Sequence, residues 1–186
     1  MKKIRFITTN KHKVEEMQAI LQDFDIELIQ KAMEYPEDKE ADMESVAKKA
    51  AKDLADELNE PVIVEDTGIF FEACNNFPGA QPKFVVNGIG LEGILRLLKE
   101  EKRGAYFHSV IGYCEPGQEP VIFEGKLNGK ITEEIINRNA GQMPYTKIFI
   151  PEGQAKTIVE MSLKEKNKIS HRGKATRKLG EYLNKL

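Results

Sequence analysis

Two adjacent acids, Glu65 and Asp66, close the apolar run Val62-Ile63-Val64 and are followed by Thr67 and Gly68. A short unbroken apolar run reads as a strand buried on both faces, so its end is a place to look for chemistry. Neighbouring strand side chains point in opposite directions, but a turn over Asp66-Thr67-Gly68 would break that alternation and let both carboxylates face one ion. Mg²⁺ takes such oxygens, retains several waters and sits beside substrate phosphates. Glu44 and Lys49 offer a partner: five residues apart on a helix, they lie about 140° apart round its axis and flank a pocket instead of stacking. The loop Thr8-Thr9-Asn10-Lys11-His12-Lys13 supplies hydroxyls, an amide and cations before a helix whose free N–H groups attract phosphate. It lacks the glycine run and Gly-Lys-Ser/Thr ending of a Walker A loop. Near the other end of the chain, Lys166, Ser170, His171 and Arg172 combine a mobile cation, a hydroxyl, an imidazole and a planar fork of donors. That set suits a phosphate, a carbonyl-bearing base, or both. Each group taken alone also has an ordinary explanation: an Asp-initiated turn, a solvated helix face, a polar loop, or helix-surface charge.

Two pattern matches fail on context. Gly88-Ile89-Gly90-Leu91-Glu92-Gly93 spells G-x-G-x-x-G, but no convincing strand precedes it and Glu115, in a turn, closes no second strand. Asp66-Thr67-Gly68 spells the aspartic-protease triplet, which works as a pair of aspartates sharing a proton; the helix content here does not fit that all-β architecture.

The elements that must position these groups alternate between strand and helix. Residues 3–7 read as a strand, followed by a polar loop and a helix with Val14, Met17, Ile20 and Leu21 on one face; residues 26–30 form a second strand, with Pro36 in the loop beyond. Met43, Val46, Ala47, Ala50, Ala51, Leu54, Ala55 and Leu58 recur at helical spacing over 43–58. Strand 62–64 follows, then a loosely patterned stretch and a helix at 93–100. Residues 105–114 and 121–126 read as an antiparallel pair around a loop longer than the tightest hairpin. Strand 147–150, a capping box at Ser162-Leu163-Lys164-Glu165 and a last helix turning Ala175, Leu179, Tyr182, Leu183 and Leu186 inward complete the chain. The expectation is a mixed α/β fold, with residues 1–186 as one domain and no linker dividing it.

Composition bounds the function. At 186 residues with 40% hydrophobic and 31% charged residues, the chain can bury a sizeable core. No stretch reaches the roughly 18 apolar residues of a membrane span. The start, MKKIRFITTN, has lysines but no apolar leader segment after them and reads as a first strand. Cys74 and Cys114 are isolated thiols, pointing to the cytosol. A net charge of -2 argues against a surface that grips nucleic acid. The charge is nonetheless segregated: eleven acids against four lysines from Glu34 to Glu65, and nine Lys or Arg against three Glu from Lys156 to Leu186. Facing each other, these would make a carboxylate wall for a metal and a cationic wall for a polyanion.

Together these islands resemble, in order and over nearly the whole chain, the inosine triphosphatase family, pyrophosphatases of purine nucleoside triphosphates carrying non-standard bases. The family's opening is matched by Thr9-Asn10-Lys11-His12-Lys13 with Glu16 following, its helical acid and lysine by Glu44 and Lys49, and its acidic pair by Glu65-Asp66-Thr67-Gly68. Phe77-Pro78-Gly79, Glu165-Lys166-Asn167 and Ser170-His171-Arg172 complete the set. The resemblance implies an elongated α/β fold with two lobes around a central cleft, usually a homodimer, converting ITP, dITP or XTP and water to monophosphate and pyrophosphate. It implies Mg²⁺ held around Glu44, Glu65 and Asp66, with Asp66 orienting or deprotonating the attacking water. Lys13 and Lys49 would neutralise phosphate oxygens, and Thr9 and Asn10 would position the triphosphate. Lys166, His171 and Arg172 would face the purine, beside Ser170. The family's Gly-Phe-Gly-Tyr-Asp-Pro loop is rewritten here as Gln142-Met143-Pro144-Tyr145-Thr146-Lys147, with Met143 where a Phe stacks on the base and Tyr145 retained; Gln81-Pro82 replaces a Tyr-Ser pair. The triphosphate side of the pattern is kept and the base side altered, which leaves base preference open. A noncatalytic paralogue that binds or senses a nucleotide is the alternative.

Overall fold

The computed structural model describes residues 1–35 and 41–186; Pro36, expected in a loop, lies outside the described residues. A seven-stranded mixed sheet carries the chain. Its strands are β1 (Lys2–Ile7), β2 (Ile26–Lys31), β3 (Val62–Phe71), β4 (Phe77–Gly79), β5 (Gly104–Cys114), β6 (Val121–Ile131) and β7 (Phe149–Pro151). The helices are α1 (Lys11–Leu21), α2 (Met43–Leu58), α3 (Pro82–Leu97), α4 (Leu163–Ile169) and α5 (His171–Leu183). The order is β2-β1-β3-β5-β6-β7, with β4 also on β3. β1 runs parallel to β2 and β3, while β3, β5 and β6 pair antiparallel over nearly their whole length.

Those three long strands bridge two lobes. In one lobe α1 and α5 cover Ile4, Phe6, Ile63, Ile111 and Phe123, and α2 covers Val62, Val64 and Val110 on the opposite face. In the other, Ile69, Phe71, Phe107, Leu127 and Phe149 pack with Val85 and Ile94 of α3. The apolar stripe of α2 explains its helix: Met43, Ala47, Ala50, Ala51, Leu54 and Ala55 are its buried residues, and Asp42 caps it by accepting from the Ser45 N–H.

Several expectations are corrected. The chain does not turn at Asp66-Thr67-Gly68; β3 continues to Phe71, because β5 pairs it residue for residue from Val62↔Cys114 to Phe71↔Ala105. The helix expected at 93–100 begins at Pro82 and is interrupted at Gly90, whose φ of 66° departs from helical geometry. The strand expected at 147–150 is confined to β7, since Pro144–Lys147 form a 3₁₀ turn. Leu186, expected inward, is 70% exposed past the end of α5. No helix among the described residues is long and apolar enough to cross a membrane.

The neighbours of β3 matter most. β1 flanks it only through Ile63, and β4 joins the same sheet at Ile69. Among the described residues no strand pairs with the β1/β4 edge of β3 between those points, and the acidic pair lies there.

Candidate active site

β1 ends at Ile7, and Asn10 opens α1 by accepting a hydrogen bond from the His12 N–H at 3.0 Å. Lys13, in the first turn, reaches β3: its Nζ lies 2.7 Å from Glu65 Oε2 and donates to the Glu65 carbonyl oxygen at 2.9 Å. Glu65 Oε1 accepts from Ser109 Oγ at 2.5 Å and Arg172 Nε at 3.2 Å, and contacts Thr67 Oγ1. Arg172, the second residue of α5, donates from Nη1 to Glu16 Oε2 at 2.6 Å and from Nη2 to Thr67 Oγ1 at 3.1 Å. Glu16 also pairs with Lys166, and its carbonyl accepts from Asn167 Nδ2 at 2.9 Å. Residues more than a hundred positions apart thus converge beneath α1 and α5.

The electrostatics follow from burial and from the neighbours. Burial alone would raise the Glu65 carboxyl, but Arg172 and then Lys13 outweigh it and hold it far below the usual range. Glu16 is likewise lowered against its burial by Arg172 and Lys166. Lys166 is lowered by burial despite Glu16, and burial followed by Arg172 pushes His171 well below the usual imidazole value. Two carboxylates face Lys13, Lys166 and Arg172, leaving an excess of one positive charge beside a neutral imidazole. Such a cluster contributes little net stability and is disposed to receive an anion.

Asp66 belongs to the other face. Because β3 is regular here, neighbours alternate, so Asp66 points to the side covered by α2 and Glu65 to the side covered by α5. Asp66 Oδ1 accepts from the Thr67 N–H at 2.8 Å. Glu44 lies in the first turn of α2 and pairs with Lys48 at 2.6 Å; Lys49 pairs with Asp53 at 2.6 Å, and both are exposed. The three expected metal carboxylates are therefore not brought together, and no three acids, histidines or thiols among the described residues group closely enough to hold an ion. Glu65 suits a counter-ion better than a ligand: Oε1 accepts from Ser109 and Arg172, and Oε2, buried and without a hydrogen bond among the described residues, sits 2.7 Å from the Lys13 ammonium. Glu44 and Asp66, hard oxygen donors on one side of the sheet, do suit Mg²⁺, which takes few carboxylates and keeps waters and phosphate oxygens.

The residues expected to face a base are mostly interior. His171 stacks on Phe107 with centroids 4.6 Å apart, and among the described residues neither ring nitrogen has a hydrogen-bond partner. Ser170 is fully buried and spends its hydroxyl capping α5, accepting from the Gly173 N–H at 3.0 Å. Tyr145 is buried, its hydroxyl donating to the Pro82 carbonyl at 2.9 Å, so both hydroxyls are engaged within the fold. Met143 touches the loop before α1, its sulfur accepting from Asn10 Nδ2 at 3.6 Å, and so links the lobes. Thr9 is exposed beside it. Glu16, Thr67, Ser109 and Phe107 are site residues that the motif reading gave no role. Glu16 carried a signal: an acid beside the apolar stripe of Met17, Ile20 and Leu21 needs a buried partner.

The Ham1 family model matches residues 4–182. A dITP/XTP pyrophosphatase of Methanopyrus kandleri is 45% identical over 181 residues, covering 97% of this chain and 95% of its own. One from Methanosarcina mazei is 47% identical over 176 residues, 94% of each chain. A HAM1 protein from Coxiella burnetii superposes over 100% of both chains with a TM-score of 0.83 at 28% identity.

Proposed function

The chain belongs to the Ham1 family, and we propose that it hydrolyses purine nucleoside triphosphates with non-standard bases, dITP, ITP and XTP, to the monophosphate and pyrophosphate. The observation that carries this reading is the convergence of Lys13 and Arg172 on β3, with Asp66 on the reverse face of the same strand. The start of α1, with Thr9, Asn10 and Lys13, receives the triphosphate. Asp66 takes the proton of the water that attacks the α-phosphorus, and pyrophosphate leaves. Glu44 and Asp66 would hold Mg²⁺, which when bound screens the phosphate charge. Lys49 exchanges its Asp53 partner for a phosphate oxygen, an inexpensive step because an exposed ion pair is worth at most about 1 kcal/mol. Lys166 and Arg172 bring donors towards the carbonyl oxygen at C6 of hypoxanthine or xanthine, with His171 beside them. Met143 lies against the ring through its sulfur.

We read the enzyme as cytoplasmic, in keeping with its two free thiols. We read it as a homodimer, in keeping with exposed Phe77, Phe84, Ile89 and Leu97. Light scattering tests the dimer. Pyrophosphate release with Mg²⁺ across dITP, ITP, XTP and the common triphosphates tests the activity. Asp66→Asn is expected to lower kcat by about 10²- to 10⁴-fold, the scale of a lost general base. Tight nucleotide binding by the unaltered protein without turnover of any substrate would instead favour the noncatalytic paralogue.

A further inference from the structure

Glu65 stands next to Asp66 in the acidic pair, yet its surroundings are those of a counter-ion. Its side chain is 0% exposed, and its oxygens meet Lys13, Arg172 and Ser109 at 2.7, 3.2 and 2.5 Å. A divalent cation entering there would meet two positive groups and would be separated from Asp66 by the thickness of the sheet. Lys13 comes from the loop-helix unit that precedes β2, and Arg172 from the start of the last helix. Both end at one carboxylate. Long cationic side chains lose much rotamer freedom when a ligand orders them. A pair already held in place has lost it before the ligand arrives.

We propose that Glu65 is a positioning residue and not a metal ligand: it is the shared counter-ion that fixes Lys13 at the triphosphate end and Arg172 at the base end of one substrate. The inference rests on the pyrophosphatase reading above and concerns how that site is organised. Glu65 ties the two ends together, so its charge governs phosphate affinity and base discrimination at once.

Glu65→Gln preserves the shape and removes the charge. Three readouts decide: Mn²⁺ binding to the nucleotide-free protein by electron paramagnetic resonance, inhibition by inorganic tripolyphosphate, and kcat and KM for dITP and dGTP. Mn²⁺ affinity is expected to stay within about twofold of the parent. The tripolyphosphate inhibition constant and the KM for dITP should each rise about tenfold or more, because losing the anchor of Lys13 and Arg172, on the scale of a charged hydrogen bond, outweighs the attraction gained from one fewer negative charge; kcat should fall less and the preference for dITP over dGTP should shrink. Should Glu65→Gln not fold, Glu65→Asp, which keeps the charge on a shorter arm, is expected to show the same pattern with smaller rises. Loss of Mn²⁺ binding, as expected for Asp66→Asn, would return Glu65 to the metal and overturn the proposal. So would a folded variant in which neither end, or only one end, is weakened. Failure of the parent to turn over any triphosphate would sink the function itself, leaving the Mn²⁺ and tripolyphosphate readouts to judge Glu65.

Discussion

His171 is held against Phe107 with Arg172, Lys166 and Lys13 as nearby cations and Glu65 as the opposing acid. Burial, then Arg172, keeps it neutral in the folded protein, whereas the unfolded chain protonates it around its ordinary value of 6.5. The unfolded state therefore binds more protons as the medium acidifies, so this contribution to stability is full above about pH 6.5 and lost progressively below it. Urea midpoints should hold steady between about pH 8 and 7 and fall towards pH 5, and His171→Phe, which keeps the stacked ring, should flatten that fall. Glu16 and Glu65 are held below their ordinary 4.5 and lose their contributions only as the pH drops below that value. Glu16 also bears directly on stability. Glu16→Ala leaves Arg172 and Lys166 short of a buried partner and is expected to cost about 3–5 kcal/mol in denaturant unfolding. A cost below about 1 kcal/mol would mean that water replaces the carboxylate.

Elements join at close backbone approaches. β6 runs beneath the start of α5 at Gly125, where an added Cβ would fall 2.0 Å from the His171 carbonyl and 2.9 Å from the Ala175 nitrogen. Gly125→Ala must push α5 outward, and with it His171 and Arg172. Calorimetry should show a loss of about 1–3 kcal/mol, the scale of overpacking. Gly88→Ala serves as the contrast, because nothing lies within 4 Å of its Cβ position, and it is expected to be neutral or stabilising by up to about 1 kcal/mol. These contacts show where sequence reading stops. β1, α1, β2 and α2 were legible from apolar periodicity alone, as was the β5–β6 pair. α3 was not, because Gly88, Gly90 and Gly93 blur its period and Phe84 faces outward at 74% exposure. The run Glu65-Asp66-Thr67-Gly68 imitates a turn in composition, yet pairing with β5 holds it extended, a tertiary effect that local propensity does not encode. The same strand regularity separates Glu65 from Asp66, so the acidic pair was legible as adjacent acids but not as groups on opposite faces of the sheet. Glu16 was readable only as one residue of a motif, since its partners lie about 150 residues away.

At the scale of the molecule, β3, β5 and β6 run through both lobes, each with one end in the α1/α5 core and the other in the α3 core. Two lobes sharing three strands cannot easily open independently, because exposing one core frays the strands that support the other. Phe71 tests this. It is fully buried in the α3 core and tilts against Tyr145, whereas the amides of Ile4 and Phe6 lie in β1, in the other lobe. Phe71→Ala is expected to cost about 3–5 kcal/mol, the usual range for truncating a buried phenylalanine. If the chain unfolds as one unit, native-state hydrogen exchange will show protection falling by a similar amount at Phe107 and Leu127 and at Ile4 and Phe6. If the loss is confined to the α3 lobe while β1 keeps its protection, the lobes are separate cooperative units. The Asn10–Met143 contact would then join two bodies that move against each other, and binding across the cleft would depend on that motion.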